Sequence, residues 1–236
     1  MKKIAIILAA LLFQFDLQAQ EVLSDANVTP RTIDASFDNV KVAGNIKLIL
    51  SQGDAVSLAV SAAQEKYIDD IRTVVENNTL RIYTSGEHNW AKKREYTVYL
   101  GFESIAALAA SGACNVKLMG TLLQKELKVD LSGASNLQAT IDVETLTIAL
   151  SGASEAKLAG KARQLSINSS GASDVNAYAL ETENCSAAAS GASDLRVNVM
   201  QELNAVASGA SHIYFKGEAQ KLNIKNSGVS KIERRN

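Results

Sequence analysis

The chain has 236 residues, with 24 Lys and Arg against 25 Asp and Glu and a net charge of −1. That balance argues against a nucleic-acid binder or a polybasic membrane-surface protein, and 47% hydrophobic residues argue against a disordered chain. Two Cys and two His exclude a disulfide-dense scaffold and argue against a structural zinc site.

Met1, Lys2 and Lys3 form a positive start, Ile4 to Phe13 an apolar run, and Leu17-Gln18-Ala19 a cleavage site. This layout predicts a secretory signal over residues 1–19. The apolar run is too short to span about 30 Å of hydrocarbon, and no transmembrane segment is expected once the signal is removed. Residues 20–34, with the sole proline Pro30, read as a leader.

Residues 35–104 read as an irregular N-terminal β part with a short helix. Val40, Val42, Ile46, Leu48 and Leu50 alternate with other residues in period two, as in a strand with one buried face. Leu58 and Val60, then Leu80 and Ile82, then Tyr96, Val98 and Leu100 repeat the pattern. Between them, Ala62 to Ile71 has Tyr67, Ile68 and Ile71 at helical spacing. Glu87 to Glu95 is a polar, basic excursion.

Residues 105–236 carry a repeat. Ser-Gly-Ala-Ser or a close variant begins at Ser111, Ser132, Ser151, Ser170, Ser190, Ser208 and Ser227, in steps of 18 to 21 residues averaging about 19. Apolar residues alternate before each tetrapeptide, as in Leu146, Ile148 and Leu150, and again after it, as in Leu195, Val197 and Val199. Each repeat reads as a strand, a tight corner, a second strand and a bend, with Gly120, Gly160 and Gly217 suited to that bend. One repeat cannot bury its apolar face alone. Stacked copies about 4.8 Å apart can. The fold expected is all-β: a single-stranded parallel β-solenoid, or β-helix, of about 19-residue coils with a less regular N-terminal capping part. A sandwich or antiparallel barrel would not require identical corners at a fixed period.

The stack predicts that Cys114 and Cys185 stay apart. Four coils separate them by roughly 19 Å, whereas a disulfide needs Cα atoms within about 7 Å. Cys185 falls in the column of Leu127, Leu146 and Leu165 and reads as a small core residue. The corner serines read as structural, their hydroxyls satisfying turn backbone.

With these features in place, the sequence resembles the auto-transporter adhesin head GIN domain family of exported Gram-negative proteins. The resemblance rests on the signal, on Phe37-x-x-Val40-x-Val42-x-Gly44-x-Ile46-x-Leu48-x-Leu50-x-x-Gly53, on Leu80-x-Ile82 and on the serial corners, covering nearly all of the mature chain. It implies architecture and brings no catalytic residues. The residues after Ile232 are too few for a translocator barrel, so an autonomous auto-transporter is not expected.

Ser211-His212 with Asp174 or Asp194 has the residue types of a hydrolase, but His212 shares its post-corner position with Asn136, Glu155, Asp174, Asp194 and Lys231, a polar outward column. Asp174, Asp194, Arg163 and Arg196 have the types found in polysaccharide lyases, without long loops to wall a groove. No metal site and no cofactor is expected. Six aromatics, Tyr67, Tyr83, Trp90, Tyr96, Tyr99 and Phe102, crowd residues 67–102 and suit either a cap or ligand stacking. Trp90, with His88, Lys92, Lys93 and Arg94 around it, is the candidate ligand-binding group.

The expected function is an exported, non-enzymatic solenoid presenting a surface for adhesion or ligand binding at the cell envelope, whether periplasmic, on the outer surface or secreted. Its ligand would be a glycan or a protein at the cell surface. A carbohydrate-active β-helix enzyme and a purely structural envelope component are the alternatives. The edge of the last coil, near Leu222 to Ile232, can also pair with another chain as an edge-to-edge homo-oligomer.

Overall fold

The structure, a computed structural model, describes residues 28–33, 35–85 and 95–235. The expected signal over 1–19 and most of the leader fall outside them. The elements are β1 (Thr29–Arg31), β2 (Asn39–Gly44), β3 (Ile46–Gln52), β4 (Ser57–Ala62), a 3-10 helix (Glu65–Asp70), β5 (Ile71–Glu76), β6 (Thr79–Thr84), β7 (Tyr96–Phe102) and β8 (Ala107–Gly112). Next come β9 (Asn115–Leu131), β10 (Asn136–Leu150), β11 (Glu155–Ser169), β12 (Asp174–Ala189) and β13 (Asp194–Ala207). The chain closes with β14 (His212–Lys216), β15 (Lys221–Asn226) and β16 (Lys231–Arg234).

The molecule is a parallel β-solenoid. Each of β9 to β13 leaves one Ser-Gly-Ala-Ser corner as an outgoing arm, bends midway and returns to the next corner, pairing in parallel with the coils on either side. The register aligns like with like. Leu137, Ala156, Val175, Leu195 and Ile213 form one inward column, and Leu127, Leu146, Leu165, Cys185, Leu203 and Leu222 form another. These columns, as far as Ile213 and Leu203, merge into one continuous core. Stacking is therefore what buries the period-two apolar face read from the sequence.

The corners carry the ladder around the turn. The Ala134, Ala153, Ala172, Ala192 and Ala210 amides donate to the glycine carbonyl of the preceding coil at 2.7–2.8 Å. Gly152 sits at φ +74°, and a Cβ there would collide with the Gly133 carbonyl oxygen, so both conformation and clearance demand glycine. The fourth serine turns inward. Ser135, Ser154, Ser173, Ser193 and Ser211 are at most 2% exposed, and each donates its hydroxyl to the carbonyl of the corner's first serine at 2.7–3.0 Å. These bonds satisfy hydroxyls that would otherwise be buried unpaired. Cys114 fills the same place in the first corner, its thiol 3.3 Å from the Ser111 carbonyl. Both cysteines are free and buried.

In the N-terminal part, stacking order departs from chain order. β2 lies between β6 and β8, and β3 lies between β7 and β9, all in parallel. The first coil made is thus an interior coil. Gly44 is its corner glycine, aligned with Gly112, and its carbonyl accepts from the Ala113 amide at 2.7 Å. The glycine column therefore begins one coil before the first Ser-Gly-Ala-Ser. Beyond β6 and β7 the stack is closed by antiparallel strands: β5 on β6, and β4 on β7 with β1 on β4. Arg31 ties this end together, donating to the Ile71 carbonyl at 2.6 Å and the Ile68 carbonyl at 3.0 Å. The helical spacing over Ala62 to Ile71 appears as the shorter 3-10 turn, with Ile68 buried beneath it.

Candidate ligand-binding face

The sequence-based candidates Trp90, His88, Lys92, Lys93 and Arg94 lie outside the described residues. Of the other aromatics in that region, Tyr96 and Phe102 are core residues, 7% and 1% exposed, and the Tyr96 hydroxyl donates to Asp70 at 2.7 Å. Tyr67 is partly buried against the core.

Outside that region, charged and aromatic groups gather on the outgoing arms of β12, β13, β14 and β16. Asp174, Asp194, His212 and Lys231 are in register in the first outward column after the corner. Asn176, Arg196, Tyr214 and Glu233 form the next. Arg196 links the two, in contact with Asp174 through one guanidinium nitrogen and 3.8 Å from Asp194 through the other. Asp194 in turn lies 3.0 Å from His212 Nδ1. The His212 ring stacks on Tyr214 with centroids 6.0 Å apart and planes 6° from parallel. Arg235 covers the Tyr214 ring at 4.9 Å, and Lys216 the Tyr178 ring at 5.5 Å.

Tyr178 reaches this surface through an irregularity. The corner step from Ser170 to Ser190 is 20 residues, and the register slips between Ala177 and Glu181. The extra length forms a bulge, a device that re-aims a side chain outward. Partial burial pushes the Tyr178 hydroxyl up from its ordinary pKa, against the opposing pull of Arg196 and Arg235. It therefore stays protonated and can donate at neutral pH. The hydrogen bond to Asp174 raises the Arg196 pKa further, keeping a fixed cation at the centre of the face.

Such a surface can stack a ligand ring and hold its hydroxyls or charges with positioned donors and acceptors. It does not assemble a nucleophile. Ser211 closes the corner and His212 opens β14, and their side chains face opposite sides. The Ser211 hydroxyl is buried, donating to the Ala189 and Ser208 carbonyls at 3.1 and 2.9 Å, while His212 points outward to Asp194. Of the four groups suggestive of a lyase, Asp174, Asp194 and Arg196 converge. Arg163 stands apart beside Glu183 at 3.4 Å, both exposed.

A shallow groove of about 420 Å³ runs along the return arms past Ser151, Ser170, Ser190, Ala149 and Ala188. The Ser170 and Ser190 hydroxyls are engaged there with the Leu150 and Ser169 carbonyls at 3.3 Å. Beside these small residues the groove is lined by Leu131, Leu150, Val206, Asp130 and Asn168, with no aromatic group, so the outgoing face is the chemically richer surface.

The comparisons with known proteins agree with this architecture. The family model described as "Putative auto-transporter adhesin, head GIN domain" matches residues 36–219. A crystal structure of a "putative adhesin" from Bacteroides fragilis superposes with a TM-score of 0.80 at 19% identity, covering 89% of this chain and 98% of that one. A "putative lipid binding protein" from Parabacteroides distasonis gives 0.68 at 19% identity, with the same coverages of 89% and 98%. A "putative adhesin" from Parabacteroides merdae gives 0.67 at 18%, covering 90% and 97%. At these identities the likeness shows a shared fold. No curated protein matches the chain. The matched stretch takes in the coils from β2 to β14, and on that match the chain belongs to the family described as "Putative auto-transporter adhesin, head GIN domain".

Proposed function

We propose that the protein is an exported, non-enzymatic solenoid that binds a glycan or protein ligand at the cell envelope through the outgoing-arm face around Arg196. One observation carries the reading. Arg196, two carboxylates, His212 and Tyr214 are drawn together on one sheet, linked by contacts to one another, with Tyr178 close by under Lys216. Fixed aromatic and charged groups on a rigid scaffold lower the ordering cost of binding. The adhesin descriptions of the family and its structural relatives support the same reading. No helix among the described residues is long and apolar enough to cross a membrane. An acyl chain inside the solenoid is disfavoured, because the apolar cavity near Leu118, Leu122 and Leu137 is about 20 Å³, the space of a single water.

The test is a glycan and envelope-protein binding screen with purified protein, comparing wild type with Tyr214→Ala and Arg196→Met. Saturable binding that weakens at least about tenfold in both variants, with their melting temperatures kept, supports the reading. Binding indifferent to both would remove the face from consideration. Release of cleaved glycan would replace the binding module with a carbohydrate-active enzyme. Protease added to intact and lysed cells distinguishes a surface location from a periplasmic one.

A further inference from the structure

The two ends of the solenoid are finished differently. Antiparallel strands close the N-terminal end. At the other end β15 pairs with β13 on one edge, and its second edge carries no strand among the described residues. β16 stands one coil further out, on β14. Among the described residues the return arm is therefore one strand shorter than its neighbour.

The core registers the gap. The column of Leu127, Leu146, Leu165, Cys185 and Leu203 is at most 5% exposed, and that of Val129, Ile148, Ile167, Ala187 and Ala205 at most 1%. Their next members in β15, Leu222 and Ile224, are 41% and 42% exposed. A solenoid end needs a cover, and an unpaired strand edge is a template for one.

Charge indicates the cover. Residues 216–235 hold six Lys and Arg against Glu218 and Glu233. Glu233 is occupied by Lys231 at 2.9 Å and Arg235 at 3.1 Å. Lys221 and Lys225 flank the exposed Leu222 and Ile224 with no ion pair among the described residues. A second copy docked end to end would bring two such basic rims together, and like charges opposed across a strand pair are destabilising. We propose that the β15 edge is a docking site for an extended, acidic segment of a partner protein. That segment adds as a further return strand and lays alternate apolar side chains over Leu222 and Ile224. Main-chain hydrogen bonds give the affinity, and the lysines favour acidic flanks. This inference does not depend on the outgoing-arm face.

The probe is a fluorescent eight-residue peptide alternating Glu and Val, with a Lys/Val peptide as control. The Glu/Val peptide is expected to bind the wild type, to weaken as salt is raised and to slow hydrogen exchange of the β15 amides. Lys221→Glu combined with Lys225→Glu should cut its affinity at least tenfold. Tyr214→Ala should leave it unchanged, which separates this site from the proposed ligand face. Both lysines are exposed, and an unchanged melting temperature confirms that the double variant folds. Failure of the Glu/Val peptide to bind, equal binding of the Lys/Val peptide, or affinity indifferent to the double variant would overturn the proposal. Mass rising with concentration in ultracentrifugation, abolished by the same two substitutions, would also overturn it by making the occupant a second copy.

Discussion

Two columns of residues run side by side up the solenoid, one position apart, and they obey opposite rules. Ser135, Ser154, Ser173, Ser193, Ser211 and Ser230 are the same residue in six successive corners. The next residues, Asn136, Glu155, Asp174, Asp194, His212 and Lys231, include two carboxylate types, an amide, an imidazole and an ammonium. The first column points inward, where each hydroxyl must meet a carbonyl about 2.7–3.0 Å away. The second points outward, where the ladder asks nothing of the side chain. A repeat of this kind holds its shape through the inward column and leaves the outward one free to build a binding surface, as the series from Asp174 to Lys231 has done.

The comparison breaks most completely at the corner. Gly152→Val places a β-branched side chain at positive φ against the Gly133 carbonyl. It should cost at least about 3 kcal/mol, read as a large fall in the chemical-denaturation midpoint or a failure to fold. Adjacent substitutions sharpen the contrast. Ser193→Ala leaves the partly buried Ser190 carbonyl without its 2.7 Å hydroxyl and should cost about 1–2 kcal/mol. Asp194→Ala, one residue on, removes a half-exposed partner of Arg196 and His212 and should stay within about 1 kcal/mol in the same denaturation experiment.

A third experiment reads the inward rule through pH. Burial pushes the Cys185 thiol from 9.0 up to about 12. Because the folded-state value is raised, the stability linked to this thiol is intact below pH 9 and declines as pH climbs towards 12. Cys185→Ala should therefore lose less stability than wild type over that alkaline window. The native thiol should also resist an aromatic disulfide reagent until denaturant is added. The smallest effect is expected at Ser169, whose hydroxyl in the inward column is buried with no partner among the described residues. Ser169→Ala should stabilise by about 0.5–1 kcal/mol, seen as a small rise in the same midpoint.

The solenoid was legible because its signals are local and repeated. The corner period set the coil length, period two set the inward faces, and the column of Leu127, Leu146, Leu165 and Cys185 followed from counting. Gly44 escaped because its corner lacks flanking serines, and the glycine column becomes visible only when β2 is laid on β8. The stacking order escaped for a related reason, since both neighbours of β2 and β3 arrive much later in the chain and no periodicity announces a swap. The outgoing face was half legible. Its first column was read as outward, but the meeting of Arg196 with Asp174 and of His212 with Asp194 depends on side-chain reach between coils. Tyr178 left one signal, the 20-residue step between Ser170 and Ser190.

The placement of β2 and β3 also bears on the order in which the molecule can assemble. As the chain emerges with its N-terminus leading, the segment from Asn39 to Gln52 appears early with both flanks bare. Gly44 waits for Gly112 on one side, and Ser51 waits for Met119 on that side and Gly101 on the other. No pair of coils can form until Phe102 is out, about two-fifths of the chain, so the barrier carries the loop-closure entropy of long-range pairing. After that point each new coil meets a finished template and adds by zipping onto it. Nucleation is non-local and late, and growth is local and fast.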